Sequence, residues 1–388
     1  MEKRNISKIL ITVGITAVVS VFLTLLAVYI HFKCLPVPLA NIIKASKIIE
    51  SSFVGDFDPK KAEEDMINAM VGSLDDKYAV YYDEDSANEL MQMIDGYYVG
   101  VGVEVFANPD SNKIEVISAY KGTPAYKAGI KNGDCIVKID GKEYSAKTLA
   151  DAVVYMKGAK EKKSLEKELT LTIERNGEMF ECKLKREKID LYKVESEVID
   201  GICYIRYSGF TQQATDDVEK ILKSLKDVDG IVIDVRDNPG GELYSAIKMC
   251  DLFMDDERII YTVDKNGKKK EYFAEKGKCD LPVAIIVNGS SASSSEIFAG
   301  SMQANKRAVI VGEKTYGKGV TQTVQQINPL DSSSGAIKIT THKNYTPDGK
   351  WINDAISPDI KVECSEEISN IREDSAYIEA VNSIKKGK

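Results

Sequence analysis

Between Gly201 and Val311 the chain alternates short apolar runs with longer segments whose apolar residues recur at helical spacing. The predicted strands are 201–207, 230–235, 283–287 and 308–311, and the predicted helices are 211–225, 243–254 and 294–303. Strands interleaved with helices in this way build a mainly parallel sheet covered by helices. The alternation therefore predicts an α/β core, to which the apolar runs at 336–340 and 360–362 add late or edge strands.

A β-rich pattern precedes this core. Short β runs with glycine between them are predicted at 99–106, 114–117, 135–139, 169–173 and 180–184, together with a helix at 146–157. Five short strands and a helix within about 90 residues make a compact module. Before it, residues 36–95 mix apolar and charged positions at helical spacing, with Phe57-Asp58-Pro59 as a helix start signal. That stretch is predicted to be a small helical region.

The N-terminus contains an apolar segment at residues 9–32, which has no Lys, Arg, Asp or Glu. As a helix it is roughly 36 Å long, enough to cross a bilayer. A secretory signal has a shorter apolar region and ends in a small-x-small cleavage site, for which Pro38-Leu39-Ala40 is a poor match. An uncleaved anchor is favoured. Lys3, Arg4 and Lys8 precede the segment, so the tail stays in the cytoplasm and everything after Lys33 lies outside.

Composition excludes several function classes. The 388 residues have a net charge of −8, with acidic and basic residues spread along the chain, which disfavours nucleic-acid binding. Only two histidines occur, which removes most zinc enzymes. The seven cysteines are odd in number and include no C-x-x-C pair, so neither a zinc ribbon nor a dithiol redox motif is present. At least one thiol is then free or bridges two chains.

A glycine loop opens the β-rich module. Gly100-Val101-Gly102-Val103 places two glycines at the mouth of a strand, where backbone N–H groups can face an anion, although a tight turn before a strand is the better explanation of the pair taken alone. The segments Gly122-Thr123-Pro124-Ala125 and Asn132-Gly133-Asp134 follow. With them, residues 95 to 187 resemble a PDZ domain of the bacterial type. The resemblance implies that residues Gly100 to Val103 capture a substrate's C-terminal carboxylate while the peptide adds as a strand. An apolar adjoining pocket is expected from Val101, Val103, Leu149, Ala152 and Val153.

Three polar clusters follow strands of the α/β core, where ligand sites of parallel sheets form. They are Asp234-Val235-Arg236-Asp237-Asn238-Pro239-Gly240-Gly241, Ser290-Ser291-Ala292-Ser293-Ser294-Ser295-Glu296 and Gly317-Lys318-Gly319. The serine cluster precedes a predicted helix, whose N-terminus offers a positive dipole end and backbone N–H groups that can hold an oxyanion. The clusters predict a catalytic site built around a serine.

A nucleotide-binding loop is the first alternative. Residues 312–318 fit G-x-x-x-x-G-K after a strand, and Asp234 ends an apolar strand as a Walker-B aspartate does. A P-loop, however, needs Ser or Thr directly after the lysine, and a helix beyond it. Gly319 stands at that position, residues 320–324 favour a strand, and the domain is predicted to lie outside the membrane, where ATP is scarce. An NTPase is therefore disfavoured.

A serine nucleophile needs a base. His31 lies in the apolar segment, which leaves His342 for a triad. A lysine can replace histidine where burial keeps it neutral, and Lys318, between two glycines and apolar neighbours, suits that role. A surface lysine in a turn is the alternative. Five serines crowd together, so spacing alone does not select the nucleophile, and helix capping accounts for most of them.

At these clusters the chain resembles the carboxyl-terminal processing proteases, Ser/Lys peptidases that carry a PDZ domain. The shared motifs are Asp234-x-Arg236-x-Asn238-x-Gly240-Gly241, Ser291-Ala292-Ser293-x-Ser295-Glu296, Gly317-Lys318-Gly319-x-x-Gln322 and Tyr345-x-Pro347-x-Gly349. The resemblance implies Ser293 as nucleophile, Lys318 as general base and Gln322 as the residue that orients it. It implies an oxyanion hole from the N–H of Ser294, where alanine is more usual, and one of the Gly240-Gly241 pair. For Glu296 a helix-start charge and a catalytic role are equally open, and His342 is incidental.

The predicted fold class is α/β: a transmembrane helix, a helical region, a PDZ domain and an α/β peptidase core with a mainly parallel sheet. The predicted boundaries are a cytoplasmic tail at 1–8, an anchor at 9–32, a helical region at 36–95, the PDZ domain at 96–186, the peptidase core at 187–362 and a C-terminal helical segment at 363–388. The resemblance also makes a homodimer through the terminal helices plausible.

The predicted function is that of a single-pass membrane serine endopeptidase with its catalytic part outside the cytoplasm, acting through an acyl-enzyme. Its substrates are proteins or peptides with free, apolar C-termini, and it needs no cofactor, metal or nucleic acid. A membrane-anchored PDZ scaffold with an inactive protease fold is the main alternative, but a scaffold does not require Ser293, Lys318 and Gln322 at these spacings. A trypsin-like PDZ protease would need a triad histidine and a Gly-x-Ser-Gly-Gly-type site, and the latter is absent.

Overall fold

The structure is a computed structural model that describes residues 14–26, 39–94, 96–120, 122–158, 168–275, 279–328, 335–364 and 370–386. The chain forms two compact units, residues 1–67 and 68–388.

The first unit is helical. It contains α1 at residues 14–26, α2 (Leu39–Ser52) and the start of α3 (Pro59–Gly72). The predicted start signal operates at α3, because the Asp58 carboxylate accepts the N–H groups of Lys60 and Lys61. Of the predicted anchor at 9–32 only α1 is described, and the rest lies outside the described residues. Among the helices the structure describes, none combines the length and apolar character needed to cross a bilayer.

The β-rich module is built on one antiparallel sheet in the order β3-β4-β5-β7-β8, with β6 paired to β5. Its elements are β3 (Val103–Asn108), β4 (Lys113–Ala119), α5 (Pro124–Lys127), β5 (Cys135–Ile139), β6 (Lys142–Glu143), α6 (Leu149–Lys157), β7 (Glu168–Arg175) and β8 (Glu178–Lys185). Inward side chains such as Ile114, Ile136 and Leu171 form a separate core. All five predicted strands occur.

The predicted strand at 99–106 is divided into two. β2 (Tyr97–Gly100) pairs with β9 (Glu187–Asp190), and β3 starts only at Val103. The break falls at Gly102, whose φ of +81° favours glycine and where a Cβ would lie 2.3 Å from the Thr123 Cβ. Helix α4 (Glu84–Ile94) precedes β2.

The peptidase core is a mixed sheet in the order β10-β11-β12-β15-β16-β19. Its strands are β10 (Val194–Ile199), β11 (Ile202–Tyr207), β12 (Gly230–Asp234), β15 (Val283–Val287), β16 (Ala308–Gly312) and β19 (Ile360–Lys361). All neighbours are parallel except β10, which is antiparallel to β11. The alternation of strands and helices in the sequence predicted the parallel strands of this sheet, but it did not predict β10.

Helices cover both faces of this sheet. One face packs on α7 (Gln212–Ser224), α8 (Leu243–Asp251) and α9 (Ser294–Ala304), and the other on α10 (Ser375–Lys386). Alternate residues of β12 face opposite sides: Ile231 and Ile233 join the first core, and Val232 joins the second. The helices fix the carboxyl ends of the strands, where the polar clusters lie.

A second, antiparallel sheet has the order β1-β18-β13-β14, with β17 also paired to β18. Its strands are β1 (Val80–Tyr82), β13 (Arg258–Asp264), β14 (Lys269–Phe273), β17 (Val320–Gln326) and β18 (Ala336–Tyr345). The expected edge strand at 336–340 is instead the long central strand of this sheet. β1, β13 and β14 were not predicted.

Candidate active site

The loop after β12 is held in a fixed shape by Asn238. Its Nδ2 donates to the Tyr207 carbonyl at 2.7 Å, and its Oδ1 accepts the N–H of Gly240 at 2.9 Å. Gly240 has a φ of +100°, and a Cβ there would lie 2.8 Å from the Cβ of Ser293. The glycine is required because the loop backbone lies directly against Ser293.

Three serines of the cluster tie the start of α9 to this loop. The hydroxyls of Ser291, Ser294 and Ser295 donate to the carbonyls of Val235, Gly241 and Asn238 at 2.8, 2.9 and 2.9 Å. All three serines are buried. Their role is to hold the loop and the helix together, which is not the capping role that the sequence suggested for them.

Ser293 differs from these three. It immediately precedes α9 with a φ of 56° and a ψ of −113°, a strained backbone for a residue with a Cβ. The side chain is half-buried, and its O–H donates to no residue that the structure describes. Such a turn presents a hydroxyl at a helix N-terminus, as a nucleophile requires.

Glu296 connects the serine turn to the lysine loop. Its carboxylate is fully buried and accepts four hydrogen bonds. Oε1 accepts from Thr315 Oγ1 at 2.6 Å and from the Gly317 N–H at 2.7 Å, and Oε2 accepts the N–H groups of Ser293 and Lys318, both at 2.8 Å. Because one oxygen binds both backbone N–H groups, the candidate nucleophile and base are kept in neighbouring positions. The sequence left the role of Glu296 open between a helix-start charge and a catalytic one; the carboxylate lies in the first turn of α9 and binds both loops.

Lys318 lies in the turn between β16 and β17 and is half-buried. Burial lowers the pKa of its ammonium group, and the positive charge of Lys338 lowers it further, while Glu296 acts in the opposite direction. No hydrogen bond joins Lys318 Nζ to Ser293 Oγ, both of which the structure describes. A lysine with a lowered pKa can accept a proton, provided the two side chains approach.

The glycines beside Lys318 have a packing reason. A Cβ at Gly319 would lie 2.0 Å from the backbone nitrogen of Asn353, and one at Gly317 would lie 2.9 Å from the Asn353 carbonyl oxygen. The Gly319 carbonyl also accepts Trp351 Nε1 at 3.0 Å. The backbone around Lys318 is therefore pressed onto the turn that follows β18.

No hydrogen bond joins the side chains of Gln322 and Lys318, both of which the structure describes. Its Nε2 donates to the carbonyl of Tyr78 at 2.7 Å, and the ring centroid of Tyr78 lies 5.2 Å from Lys318 Nζ. Lys318 and Gln322 thus meet at Tyr78. His342 lies on β18 with its Nδ1 2.9 Å from Thr341 Oγ1.

Two backbone N–H groups next to Ser293 are available for an oxyanion. Those of Gly241 and Ser294 donate to no residue within the described ranges, whereas that of Gly240 is already bound by Asn238. Of the predicted glycine pair, Gly241 is thus the member with a free donor. Across the described residues no group of three or more His, Cys, Asp or Glu could hold a metal ion.

The module's glycine loop borders a cavity of about 1370 Å³. The cavity is lined by α4, β2, β9 and module residues that include Val103, Tyr120 and Thr123. Val101 is not part of the lining: it is buried in the module core, and its carbonyl accepts the N–H of Ala125. Leu149, Ala152 and Val153 also belong to that core. Ala152 is fully buried there, whereas Leu149 and Val153 are half-buried against the core and Val103 lines the cavity. The apolar pocket expected from these residues stays a prediction.

Comparison with known proteins agrees with this geometry. Residues 201–362 match the model of peptidase family S41, and residues 115–175 match that of the PDZ domain. The chain is therefore a serine-type peptidase that carries a PDZ domain.

Curated relatives are similar over most of the chain. It is 35% identical to the carboxy-terminal processing protease CtpB of Bacillus subtilis over 83% of this chain and 67% of that protein. It is 36% identical to a carboxy-terminal-processing protease of Bartonella bacilliformis over 81% of this chain and 73% of that one. A solved structure described as an S41 protease of Bacteroides fragilis has the same fold, with a TM-score of 0.50 and 14% identity over 87% of this chain and 93% of that one. The protein belongs to peptidase family S41, among the carboxy-terminal processing proteases, and the resemblance noted from its motifs is confirmed.

Several residues of the site had no signal in the sequence. Tyr78, Lys338 and Asn353 reach Lys318 or its loop only through tertiary packing. Tyr78 is 240 positions away from Lys318 in the sequence and matches no motif.

Proposed function

We propose that this protease uses Ser293 and Lys318 as a catalytic dyad, selects substrates by their free C-termini and is anchored in the cell membrane with its catalytic part outside the cytoplasm. The observation that carries the dyad is the buried Glu296 carboxylate, which binds the backbone N–H of both residues. These hydrogen bonds fix the serine turn and the lysine loop relative to each other, as a catalytic pair requires. The lowered pKa of Lys318 favours its neutral amine, the form that can act as the base.

In the proposed mechanism, neutral Lys318 takes the proton of Ser293 as its Oγ attacks the substrate carbonyl carbon. The N–H groups of Ser294 and Gly241 stabilise the oxyanion. Lys318 then gives its proton to the leaving amine, and the C–N bond breaks to leave an ester on Ser293. Water, losing a proton to Lys318, attacks this ester. As the second intermediate collapses, Lys318 returns that proton to Ser293 Oγ, which regenerates the serine hydroxyl and the neutral lysine and releases the carboxylic acid product.

The dyad is tested by cleavage of a model protein that ends in a free, apolar tail. The parent protein, Ser293→Ala, Lys318→Ala and the exposed control Lys361→Ala are compared. We expect cleavage by the parent and the control, unaffected by a chelator, and loss of at least about 1000-fold in both dyad variants. Equal cleavage by Lys318→Ala would remove Lys318 as the base, and His342→Ala is included to reveal a histidine base in that case.

C-terminal recognition is proposed for the loop from Gly100 to Val103, with the cavity beside it receiving the substrate tail. The same substrate with an amidated C-terminus lacks the carboxylate but keeps every side chain. We expect a lower kcat/KM for the amidated form. Equal values for the two forms would contradict recognition of the carboxylate.

Membrane anchoring is proposed from the uncharged segment at 9–32 and the basic residues before it. After expression of the full chain in a bacterial host, it is expected to stay in the membrane pellet during alkaline carbonate extraction. Added protease should digest the catalytic part in spheroplasts without lysis. Release by carbonate, or protection from protease until lysis, would contradict anchoring or the proposed orientation.

A further inference from the structure

A short segment from the N-terminal side of the PDZ domain lies against the catalytic loop. We call residues Asp76 to Tyr82 the strap. Its second half is β1, which pairs antiparallel with β18, Val80 opposite Lys338. Its first half is held by Asp76, whose Oδ1 accepts the Tyr78 N–H at 2.9 Å and whose Oδ2 accepts the Thr340 N–H at 3.3 Å. The strap is therefore fastened to β18 on both sides of Tyr78.

Tyr78 contacts two of the residues that the motifs assign to catalysis. Its ring lies over Lys318, with Nζ 5.2 Å from the ring centroid, and its carbonyl accepts Gln322 Nε2 at 2.7 Å. The ring contact depends on the side chain, whereas the bond from Gln322 depends only on the main chain. Substitutions at position 78 therefore test the ring without removing the acceptor of Gln322.

The ionisable groups around Lys318 come from three elements. Glu296 faces it from α9, Lys338 from β18 and Tyr78 from the strap. Lys77 Nζ lies 4.8 Å from the centroid of the same Tyr78 ring. Two lysines and one carboxylate thus share the site with Lys318, and the aromatic ring of the strap lies directly over its amine.

We propose that the strap is part of the catalytic machinery, and that Tyr78 is a positioning residue that covers the Lys318 amine and holds Gln322 beside it. This inference rests on the proposed Ser/Lys dyad. An aromatic ring has two opposing effects on a lysine: its face attracts the ammonium form, and its bulk keeps water away from that form. Burial is the largest influence on the pKa of Lys318 and lowers it, and the Tyr78 ring, in this proposal, acts by adding to that burial rather than by attracting the ammonium form. The strap therefore keeps Lys318 in the neutral form that can accept a proton from Ser293.

The test is the pH profile of kcat/KM for the full-length enzyme with the model substrate above. In Tyr78→Ala, water reaches Lys318, so we expect the acid limb to move to higher pH by about one unit. At a given pH on the acid limb, activity then falls about tenfold, and activity on the alkaline plateau stays close to that of the parent. Tyr78→Phe keeps the ring over Lys318 and should retain the parent profile.

Two further variants separate the possible outcomes. Tyr126→Ala removes a tyrosine that is 50% exposed on the PDZ domain and should leave the profile unchanged. Asp76→Ala loosens the strap without altering the ring and should reproduce the alkaline shift, which keeps the test available if Tyr78→Ala does not fold. An unshifted or acid-shifted limb in a folded Tyr78→Ala protein overturns the proposal. If Lys318→Ala cleaves as well as the parent, the dyad itself fails; if it is inactive while Tyr78→Ala is unshifted, only the strap proposal fails.

Discussion

At the scale of single residues, Glu296 shows how a buried charge is kept in a protein interior. A carboxylate without water is tolerated only when its oxygens are fully hydrogen-bonded, and here three backbone N–H groups and one hydroxyl do this. All four donors lie either at the serine turn or in the lysine loop. The stability of the charge and the alignment of the dyad are therefore achieved by the same bonds.

Replacing Glu296 by Gln should disrupt that alignment. The NH₂ of the glutamine side chain replaces one carboxylate oxygen, so it faces two hydrogen-bond donors and cannot accept from them. Leaving these donors unpaired lowers the free energy of unfolding by about 2–3 kcal/mol. Displacement of the dyad lowers kcat/KM by about 100-fold. Kinetics and urea unfolding measure the two effects, with the exposed Glu181→Gln as the control. Parent-like kinetics in Glu296→Gln would contradict the alignment role.

The charge of Lys338 predicts a pH effect of known sign. This charge helps lower the pKa of Lys318, so its removal in Lys338→Gln should raise that pKa. Because the neutral form of Lys318 is the proposed base, the acid limb of kcat/KM should move to higher pH, by up to about one unit. The exposed Lys361→Gln serves as the charge-matched control. An acid shift in Lys338→Gln would show that the sign is wrong.

At the scale of elements, the site is a meeting of three chain turns rather than a property of any one of them. The turn before α9 presents Ser293, the turn after β12 presents Gly241, and the β16–β17 turn presents Lys318. Parallel strands bring the first two to one end of the sheet. The third is held there by contact between Gly319 and Asn353. The site is accordingly sensitive to the packing of backbone against backbone.

Gly319→Ala tests this sensitivity. Its Cβ would lie 2.0 Å from the Asn353 nitrogen, so the loop must move, at a cost of about 1–3 kcal/mol and with loss of most activity. Gly289→Ala is a matched control, since the nearest atom to a Cβ there is the Lys314 oxygen at 3.9 Å. Thermal unfolding and kcat/KM are measured for both. A fully active Gly319→Ala enzyme would show that the contact does not position Lys318.

At the scale of the whole molecule, a buried ion network joins the catalytic sheet to the C-terminal helix. Arg236 is buried and binds Asp234, with Nη2 to Oδ2 at 2.5 Å, and Asp374, with Nη1 to Oδ2 at 2.9 Å. Asp374 also accepts the N–H of Tyr377 in the first turn of α10. The motif arginine thus fastens α10 to the end of β12, and the loop that carries Gly241 begins at the same point.

The variant Asp374→Asn should distinguish the contribution of the ion pair with Arg236 from that of the cap at the start of α10. The amide oxygen can still accept from Tyr377, but Arg236 loses one of its two charged partners, and we expect a loss of about 3 kcal/mol in the free energy of unfolding. Asp374→Ala removes the cap as well and should cost about 1 kcal/mol more. Urea unfolding measures both. Asp200→Asn, in an exposed pair with Arg372, should change little; an equally small change in Asp374→Asn would contradict the network's role.

The sequence by itself determined the local elements and the chemistry. The alternation of apolar runs gave the parallel strands of the core within one or two residues, and the family resemblance carried by the motifs indicated Ser293 and Lys318, because these signals depend on neighbouring residues. Three features depend on residues far apart in the chain: which serine has an O–H that donates to no described residue, why Glu296 is buried and what covers Lys318. β10 and β13 were also missed, since edge and antiparallel strands take their stability from partners that periodicity does not show. Tertiary packing alone decided these features, because a hydrogen bond or a covered amine exists only once distant segments have come together.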